Sequence, residues 1–162
     1  MTVSIRRLTV DDWRENRAIR LEALGESPGN FFTSLAEARA RSDDQWRGML
    51  MSATLVVFGL FDGDRLAGIT AVTRGEAGTG TLAMSYIRPA WRGRGLARHF
   101  YAARLAWARE HGLTRLLVSH RAGNEPSRRA MLAAGFRQVG RRQHVWPDGA
   151  EVDDLQSELV LS

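Results

Sequence analysis

The region between residues 81 and 110 constrains the fold of this chain more than any other. It contains a β-like run at residues 81–87, a turn Arg-Gly-Arg-Gly-Leu-Ala at residues 92–97, and a helix-like run at residues 96–110. Glycine lets a backbone approach an anion closely, and the first N–H groups of a helix have no partner within the helix. The helix dipole adds positive potential at the same end. The pattern therefore predicts a binding site for a ligand that carries a diphosphate.

Two common phosphate-binding loops do not fit this turn. A Walker loop requires a Lys followed by Ser or Thr, and the chain contains no Lys. The dinucleotide fingerprint requires Gly or Ala where Arg98 stands, and an acidic residue near the end of the next strand. The next β-like run, residues 114–121, ends without an acidic residue. The turn therefore belongs to a class of diphosphate-binding site other than these two.

The pattern Arg92-x-x-Gly95-x-Ala97 resembles the coenzyme A signature Q/R-x-x-G-x-G/A of the GNAT N-acetyltransferase superfamily. The preceding residues, 86–91, resemble the end of that family's fourth strand and the approach to its loop. A second signature, an Asn that opens a short helix ending in Gly-Phe, resembles Asn124 with Gly135 and Phe136. The resemblance covers most of the chain.

The implied fold is α/β of the mixed α+β kind: one domain over residues 1–162, with a twisted, mostly antiparallel sheet flanked by helices. The residue pattern agrees, because three successive antiparallel strands followed by βα units indicate a mixed sheet with helices on its faces. A length of 162 residues is that of one domain. Strands are predicted at residues 3–8, 54–61, 65–73, 81–87, 114–119, 136–145 and 152–161. Helices are predicted after Thr9, after the capping boxes at Ser34 and Ser42, at 96–110 and at 124–134.

Composition limits the partners. The net charge of +5 arises from 23 arginines and 18 acidic residues. A nucleic-acid-binding protein is therefore an alternative, but the arginines are spread along the chain and no aromatic-basic RNA motif is present. The chain has no Cys, no signal-peptide core and no apolar run near the ~20 residues of a membrane span. We expect a cytoplasmic protein that binds neither nucleic acid nor membrane.

The resemblance implies an acetyl-CoA-dependent N-acetyltransferase that acts on a primary amine by direct attack in a ternary complex. Acetyl-CoA is then a co-substrate, and no metal is expected. The alternative is a non-catalytic sensor module of the same fold that binds an acyl-CoA. A small amine, an antibiotic, an amino acid and a protein N-terminus remain open as acceptors, and the family also leaves a homodimer open.

The resemblance also assigns a cofactor site. The main chain near the end of the fourth strand would hold the pantetheine arm, the turn would hold the diphosphate, and the Asn of the second signature would add a contact while capping its helix. The expected cofactor-binding residues are Tyr86, Ile87, Arg92, Gly93, Arg94, Gly95, Leu96, Ala97, Arg98 and Asn124.

The general base is not evident from the sequence. Many relatives carry a Glu early in the fourth strand, where this chain has Thr81. His120 lies at the end of the predicted fifth strand, and its ordinary pKa of about 6.5 suits a base, although a His that only packs or caps fits equally well. Ser85 and Ser119 are further candidates for orienting a water.

The general acid is a second departure from the family. Many relatives have a Tyr seven residues after the signature Asn, and this chain has Met131 there. Methionine has no proton to donate. Ser127 or a water would then serve, or the thiolate would leave unaided, which its pKa of about 8.5 permits.

Aromatic and acidic residues are the candidates for the acceptor site. By resemblance, Phe31, Phe32 and Trp46 lie along its wall, although core packing is the favoured interpretation for Trp46. Carboxylates of the last hairpin could hold a cationic amine, although a solvated hairpin tip explains them more simply. This hairpin group is Trp146, Asp148, Glu151, Asp153 and Asp154.

Overall fold

A computed structural model describes all residues, 1–162. Its strands are β1 (Val3–Arg7), β2 (Leu55–Asp62), β3 (Arg65–Arg74), β4 (Thr79–Ile87), β5 (Arg115–Arg121), β6 (Arg137–Arg142) and β7 (Asp154–Val160). Its helices are α1 (Trp13–Glu26), α2 (Leu35–Arg39), α3 (Asp43–Leu50), α4 (Ala97–Glu110) and α5 (Glu125–Ala133).

The strands form one seven-stranded sheet in the order β1-β2-β3-β4-β5-β7-β6. Every neighbouring pair is antiparallel except β4 with β5, which is parallel. The predicted fold class, a mostly antiparallel mixed sheet flanked by helices, is confirmed. None of the helices combines the length and the apolar character that crossing a membrane would require.

Local side-chain caps set the helix starts, as predicted. Ser34 accepts a hydrogen bond from the Glu37 N–H at 3.1 Å and begins α2. Ser42 and Gln45 form a reciprocal capping box at the start of α3. The predicted interruption of this helical region is therefore real, and it places a loop between two short helices.

Three predicted strand boundaries are wrong. β4 begins at Thr79 and not at residue 81, so Gly80 lies within the strand. A Cβ on Gly80 would lie 2.8 Å from the side chains of both Leu113 and Leu116, so close packing requires glycine there. β5 continues to Arg121 because β7 pairs with it along its whole length. The last hairpin is shorter than predicted, since β6 ends at Arg142.

Helices cover both faces of the sheet. On one face, α1 and α3 pack around Ile19 and the fully buried Trp46. On the other face, α4 and α5 contribute Trp107 and Met131. Trp46 is thus a core residue, which confirms the favoured interpretation over a place on the acceptor wall.

Candidate active site

The parallel strands at the centre of the sheet separate after a few residues. Only residues 79–81 of β4 pair with residues 115–117 of β5. β4 nevertheless stays paired with β3 as far as Ile87, and β5 with β7 as far as Arg121. The main chain of residues 83–87 therefore has no strand partner on the β5 side. Such an edge offers N–H and C=O groups to an extended ligand.

A β-bulge lies where the strands separate. The register between β3 and β4 shifts between Ile69 and Ala71. Opposite this shift, Met84 has a φ of 61°, a left-handed conformation that is uncommon outside glycine. A bulge bends its strand and increases its twist, which explains the divergence of β4 from β5. Bulges and strained residues are frequent at functional sites.

Two cavities meet at the separated strands. The first, here called the groove, has a volume of about 210 Å³. It is lined by Ser85, Tyr86, Ile87, Ala97, Phe100, Tyr101, Pro126, Ser127 and Ala130. The second, here called the inner cavity, has a volume of about 400 Å³ and extends toward α1 and the loop at residues 30–33. Ser85, Tyr101 and Ser127 line both cavities and mark their junction.

The glycine turn leads directly into the groove. Gly93 and Gly95 have φ values of 76° and 69°, which explains the need for glycine at both positions. None of the amide N–H groups of residues 93–98 donates a hydrogen bond within the chain. These amides lie at and before the N-terminus of α4, where the helix dipole favours an anion. The turn therefore has the donors that a diphosphate requires.

The arginines of the turn differ in their contacts. Arg92 forms an ion pair with Glu26 at 2.6 Å, and its Nε donates to the Ile87 carbonyl at 2.8 Å. Arg98 donates to the Gly95 carbonyl at 2.9 Å. Arg94 is exposed and forms no ion pair. Arg92 and Arg98 therefore brace the turn, and Arg94 has a charge that no carboxylate neutralises.

A buried arginine that sequence reasoning missed orients Ser85. Arg104 on α4 is only 2% exposed, and its Nη1 donates to the Ser85 hydroxyl at 3.2 Å. The Ser85 hydroxyl also lies 2.8 Å from that of Thr70. Burial lowers the pKa of Arg104 to about 10, so this guanidinium stays charged at neutral pH. Ser85 is thus held at the cavity junction by a fixed positive group.

Asn124 caps α5, as predicted. Its side chain accepts a hydrogen bond from the Ser127 N–H at 3.5 Å. At the other end of α5, Gly135 has a φ of 93°, and the Phe136 N–H donates to the Met131 carbonyl at 3.0 Å. This is a Schellman ending. It fixes α5 with Ser127 at the junction and with the Met131 side chain against the inner cavity.

His120 lies apart from this junction. Strand alternation places it on the same face of β5 as Leu116 and Val118, which pack with α4 and α5. It is 8% exposed, its Nδ1 has no hydrogen-bond partner, and it lines neither cavity. Burial lowers the pKa of His120, so the ring is neutral at pH 7. The structure brings together Ser85 and Ser127 but not His120.

Tyr101 on α4 is a second residue of the junction that the sequence alone does not single out. It lines both cavities. Its ring lies 4.8 Å from the Arg104 guanidinium carbon. Burial raises the pKa of Tyr101, so its hydroxyl stays protonated at neutral pH. A half-buried tyrosine of this kind places its ring in an apolar surface and its hydroxyl near polar groups.

The loop before α2 borders the inner cavity and contacts the last hairpin. Phe31 and Phe32 line the cavity. The Phe32 ring stacks on Trp146 with centroids 5.2 Å apart. Arg121 reaches across from β5 and donates to the Gly29 carbonyl at 2.9 Å. These contacts tie the loop to the last hairpin and to β5.

Comparison with known proteins defines the class of this protein. Residues 7–136 match the acetyltransferase (GNAT) family. The chain belongs to this family of acetyltransferases, and the resemblance inferred from the turn is confirmed. A search of curated protein sequences finds no match.

Solved structures share the fold at low sequence identity. A GNAT-family acetyltransferase from Streptococcus pneumoniae is 19% identical with a TM-score of 0.86, over 99% of this chain and 100% of that chain. The yncA protein of Salmonella typhimurium, solved with its cofactor acetyl-CoA, is 19% identical with a TM-score of 0.82, over 100% and 95% of the two chains. The ribosomal-protein-S18-alanine N-acetyltransferase of Escherichia coli is 17% identical with a TM-score of 0.76, over 99% and 95%.

Proposed function

We propose that this acetyltransferase moves the acetyl group of acetyl-CoA directly to a primary amine while both substrates are bound. The observation that carries the proposal is the junction of two cavities at Ser85, Tyr101 and Ser127. One cavity leads to the amide-rich turn, and the other extends toward α1 and the loop at residues 30–33. Two substrates held in adjoining cavities can react without an acyl-enzyme intermediate, since proximity alone removes much of the barrier.

The residues present fit coenzyme A. The unpaired amides of residues 93–98 would hold the diphosphate, and the free edge of β4 at residues 83–87 would hold the pantetheine arm. Asn124 would add a contact at the start of α5. Acetyl-CoA supplies an activated thioester, and a main-chain N–H of β4 near Tyr86 would stabilise the oxyanion that develops during attack.

The cofactor assignment is tested by reversing the charge of Arg94, which forms no ion pair and contacts only the sulfur of Met1. Arg94→Glu is expected to weaken coenzyme A binding about tenfold at low salt, because one charge-assisted contact becomes a repulsion. Arg92→Glu would be less informative, since it would also break the ion pair with Glu26. Arg74→Glu is the matched control, because Arg74 is exposed at the end of β3. Calorimetry showing equal affinity in both variants would count against the assignment.

Turnover is tested by free-thiol release from acetyl-CoA with a panel of amines. Transfer to an amine supports the enzyme. Tight coenzyme A binding without transfer to any amine would favour the acyl-CoA sensor. The sensor is the second candidate because this chain has Thr81 and Met131 where many relatives have Glu and Tyr.

We further propose that Tyr101 replaces the proton donor missing at Met131. As the new C–N bond forms and the C–S bond breaks, the Tyr101 hydroxyl would give its proton to the leaving sulfur, and the amine would lose one to a base or water. Tyr101→Phe is expected to lower kcat by about 100-fold and to leave coenzyme A affinity unchanged. The only other tyrosine is Tyr86. Its hydroxyl donates a hydrogen bond to Glu26, and its side chain lies outside the junction. Tyr86→Phe should therefore keep its kcat, and equal losses in both variants would remove Tyr101 from this role.

His120 remains a candidate base that would act through a water, since it lines neither cavity. Because burial lowers its pKa, the neutral ring persists below the ordinary value of about 6.5. His120→Ala is expected to lower kcat/KM at neutral pH and to abolish the loss of activity on acidification. A pH–rate profile that keeps its acidic limb in the variant would exclude His120 as the base.

A further inference from the structure

The inner cavity is positively charged. Three arginines line it and no acidic residue does: Arg20, Arg41 and Arg104. None of the three belongs to any ion pair of the chain. Charges inside a protein are normally paired or fully hydrogen-bonded, so the two buried arginines, Arg20 and Arg104, each require an explanation.

Arg104 is explained by internal partners. Its guanidinium donates to the Phe100 carbonyl at 3.3 Å, to the Ala71 carbonyl at 3.5 Å and to the Ser85 hydroxyl at 3.2 Å. These contacts join α4 to β3 and β4. Arg104 therefore needs no external anion.

Arg20 has no such partners. It lies on α1 and is only 5% exposed, and neither its Nε nor its Nη1 has a hydrogen-bond partner. Its guanidinium carbon lies 4.9 Å from the centre of the Phe31 ring, which gives a face contact but no acceptor. Burial and the nearby charge of Arg41 lower the pKa of Arg20 to about 10, so the group remains charged at neutral pH. Arg20 is thus a buried cation aimed into the cavity beside a second cation.

The last hairpin does not supply the missing negative charge. Asp148 pairs with Arg121 at 2.6 Å, and Asp154 pairs with Arg142 at 3.1 Å. Asp153 is likewise paired, with Arg141. The carboxylates considered for a cationic acceptor are therefore mostly neutralised by arginines outside the cavity. The electrostatics of this site favour an acceptor of the opposite kind.

We propose that the acceptor is a small primary amine that also carries a carboxylate, of the free amino-acid type, and that Arg20 and Arg41 bind this carboxylate. The inference rests on the proposed function for the amine, and on Arg20 for the carboxylate. A guanidinium binds a carboxylate through two parallel hydrogen bonds. A cavity of about 400 Å³ has the size of a small-molecule site. A peptide N-terminus has a neutral amide where a free amino acid has its carboxylate, and it would leave Arg20 unpaired.

The proposal is tested with free L-amino acids from each side-chain class and with the corresponding amino-acid amides. Free-thiol release from acetyl-CoA is expected to show a preference of at least about tenfold in kcat/KM for the acid over its amide. Arg20→Met should abolish the preference. Arg14→Met should keep it, because Arg14 is an exposed arginine on the same helix. Without acetyl-CoA, the preferred amino acid should raise the Tm of the wild type and of Arg14→Met but not of Arg20→Met.

The outcomes separate this inference from the proposed function. Transfer to amides or to amines without a carboxylate, as efficiently as to free amino acids, would overturn the carboxylate site and leave the transferase standing. A rise in Tm that depends on Arg20, without acetyl transfer to any amine, would support the carboxylate site and count against the transferase. The absence of both the Tm rise and the preference would overturn the inference.

Discussion

Replacement of Gly95 by Val is expected to lower the affinity for coenzyme A about 100-fold. Gly95 has a φ of 69°, and a β-branched residue is a strong outlier in that region. A Cβ at this position would also lie 3.0 Å from Nη1 of Arg98. The turn would relax and redirect several of the amides of residues 93–98. Two lost charge-assisted hydrogen bonds, at roughly 1.5 kcal/mol each, correspond to about 100-fold in affinity.

The hairpin between β2 and β3 provides the matched control. Gly63 has a φ of 60° and has no atom within 4 Å of an added Cβ. Gly63→Val should therefore impose a similar backbone cost and a similar fall in Tm, without any effect on coenzyme A binding. Calorimetry and thermal unfolding on both variants separate ligand recognition from strain. If both variants bind coenzyme A as the wild type does, the turn is not the diphosphate site.

The turn could be predicted because its signal is local. Six consecutive residues contain two glycines in the left-handed conformation and the start of a helix. No contact with distant residues is needed to form this turn. The same holds for the caps at Ser34, Ser42 and Asn124, where a side chain bonds to a backbone amide three residues later. Interactions of this range depend little on the rest of the fold.

The chemistry at the junction could not be predicted in the same way. Tyr101 and Arg104 lie on α4. The apolar pattern of this helix predicts which face packs on the sheet, but it does not predict which side chains reach the gap between β4 and β5. That gap depends on the bulge at Met84 and on the insertion of β7 beside β5. His120 shows the same limit: it follows Val118 on the same face of β5, and Val118 lines the inner cavity, yet His120 itself lines neither cavity.

Arg20 is the residue of the inner cavity whose role could least be predicted from the sequence. In the sequence it is one of 23 arginines, on a helix that also carries Arg14 and Arg17. Only the tertiary packing of α1 against the sheet distinguishes it, because that packing buries its guanidinium without an acceptor. Net charge could suggest an anionic ligand, but the location of that ligand required the structure.

Arg20→Met is expected to stabilise the protein while it removes acceptor recognition. Methionine fills a similar volume and has no charge to bury, whereas the Arg20 guanidinium lacks two of its hydrogen-bond partners. We expect the free energy of unfolding to rise by about 1–3 kcal/mol. Arg14→Met should change it by less than about 0.5 kcal/mol, as is usual for an exposed position.

The pH dependence of this gain follows from the direction of the pKa shift. The pKa of Arg20 is lowered in the folded state to about 10, below its ordinary value, so the unfolded chain binds the proton more tightly. The cost of the buried charge is then fully present at every pH below about 10 and declines only above it. Denaturant unfolding should therefore show the same gain in Arg20→Met at pH 6 and at pH 9, to within about 0.5 kcal/mol.

In Arg20→Met, the free energy of unfolding should rise while acceptor binding is lost only if the buried charge serves to bind a ligand. Replacement of a purely structural arginine would lower the free energy of unfolding, because the contacts of its side chain would be lost. Arg104, with three internal acceptors, is expected to behave in that way. A lower free energy of unfolding in Arg20→Met would therefore place Arg20 with Arg104, as a group that holds the fold together, and would leave the inner cavity without a site for a carboxylate.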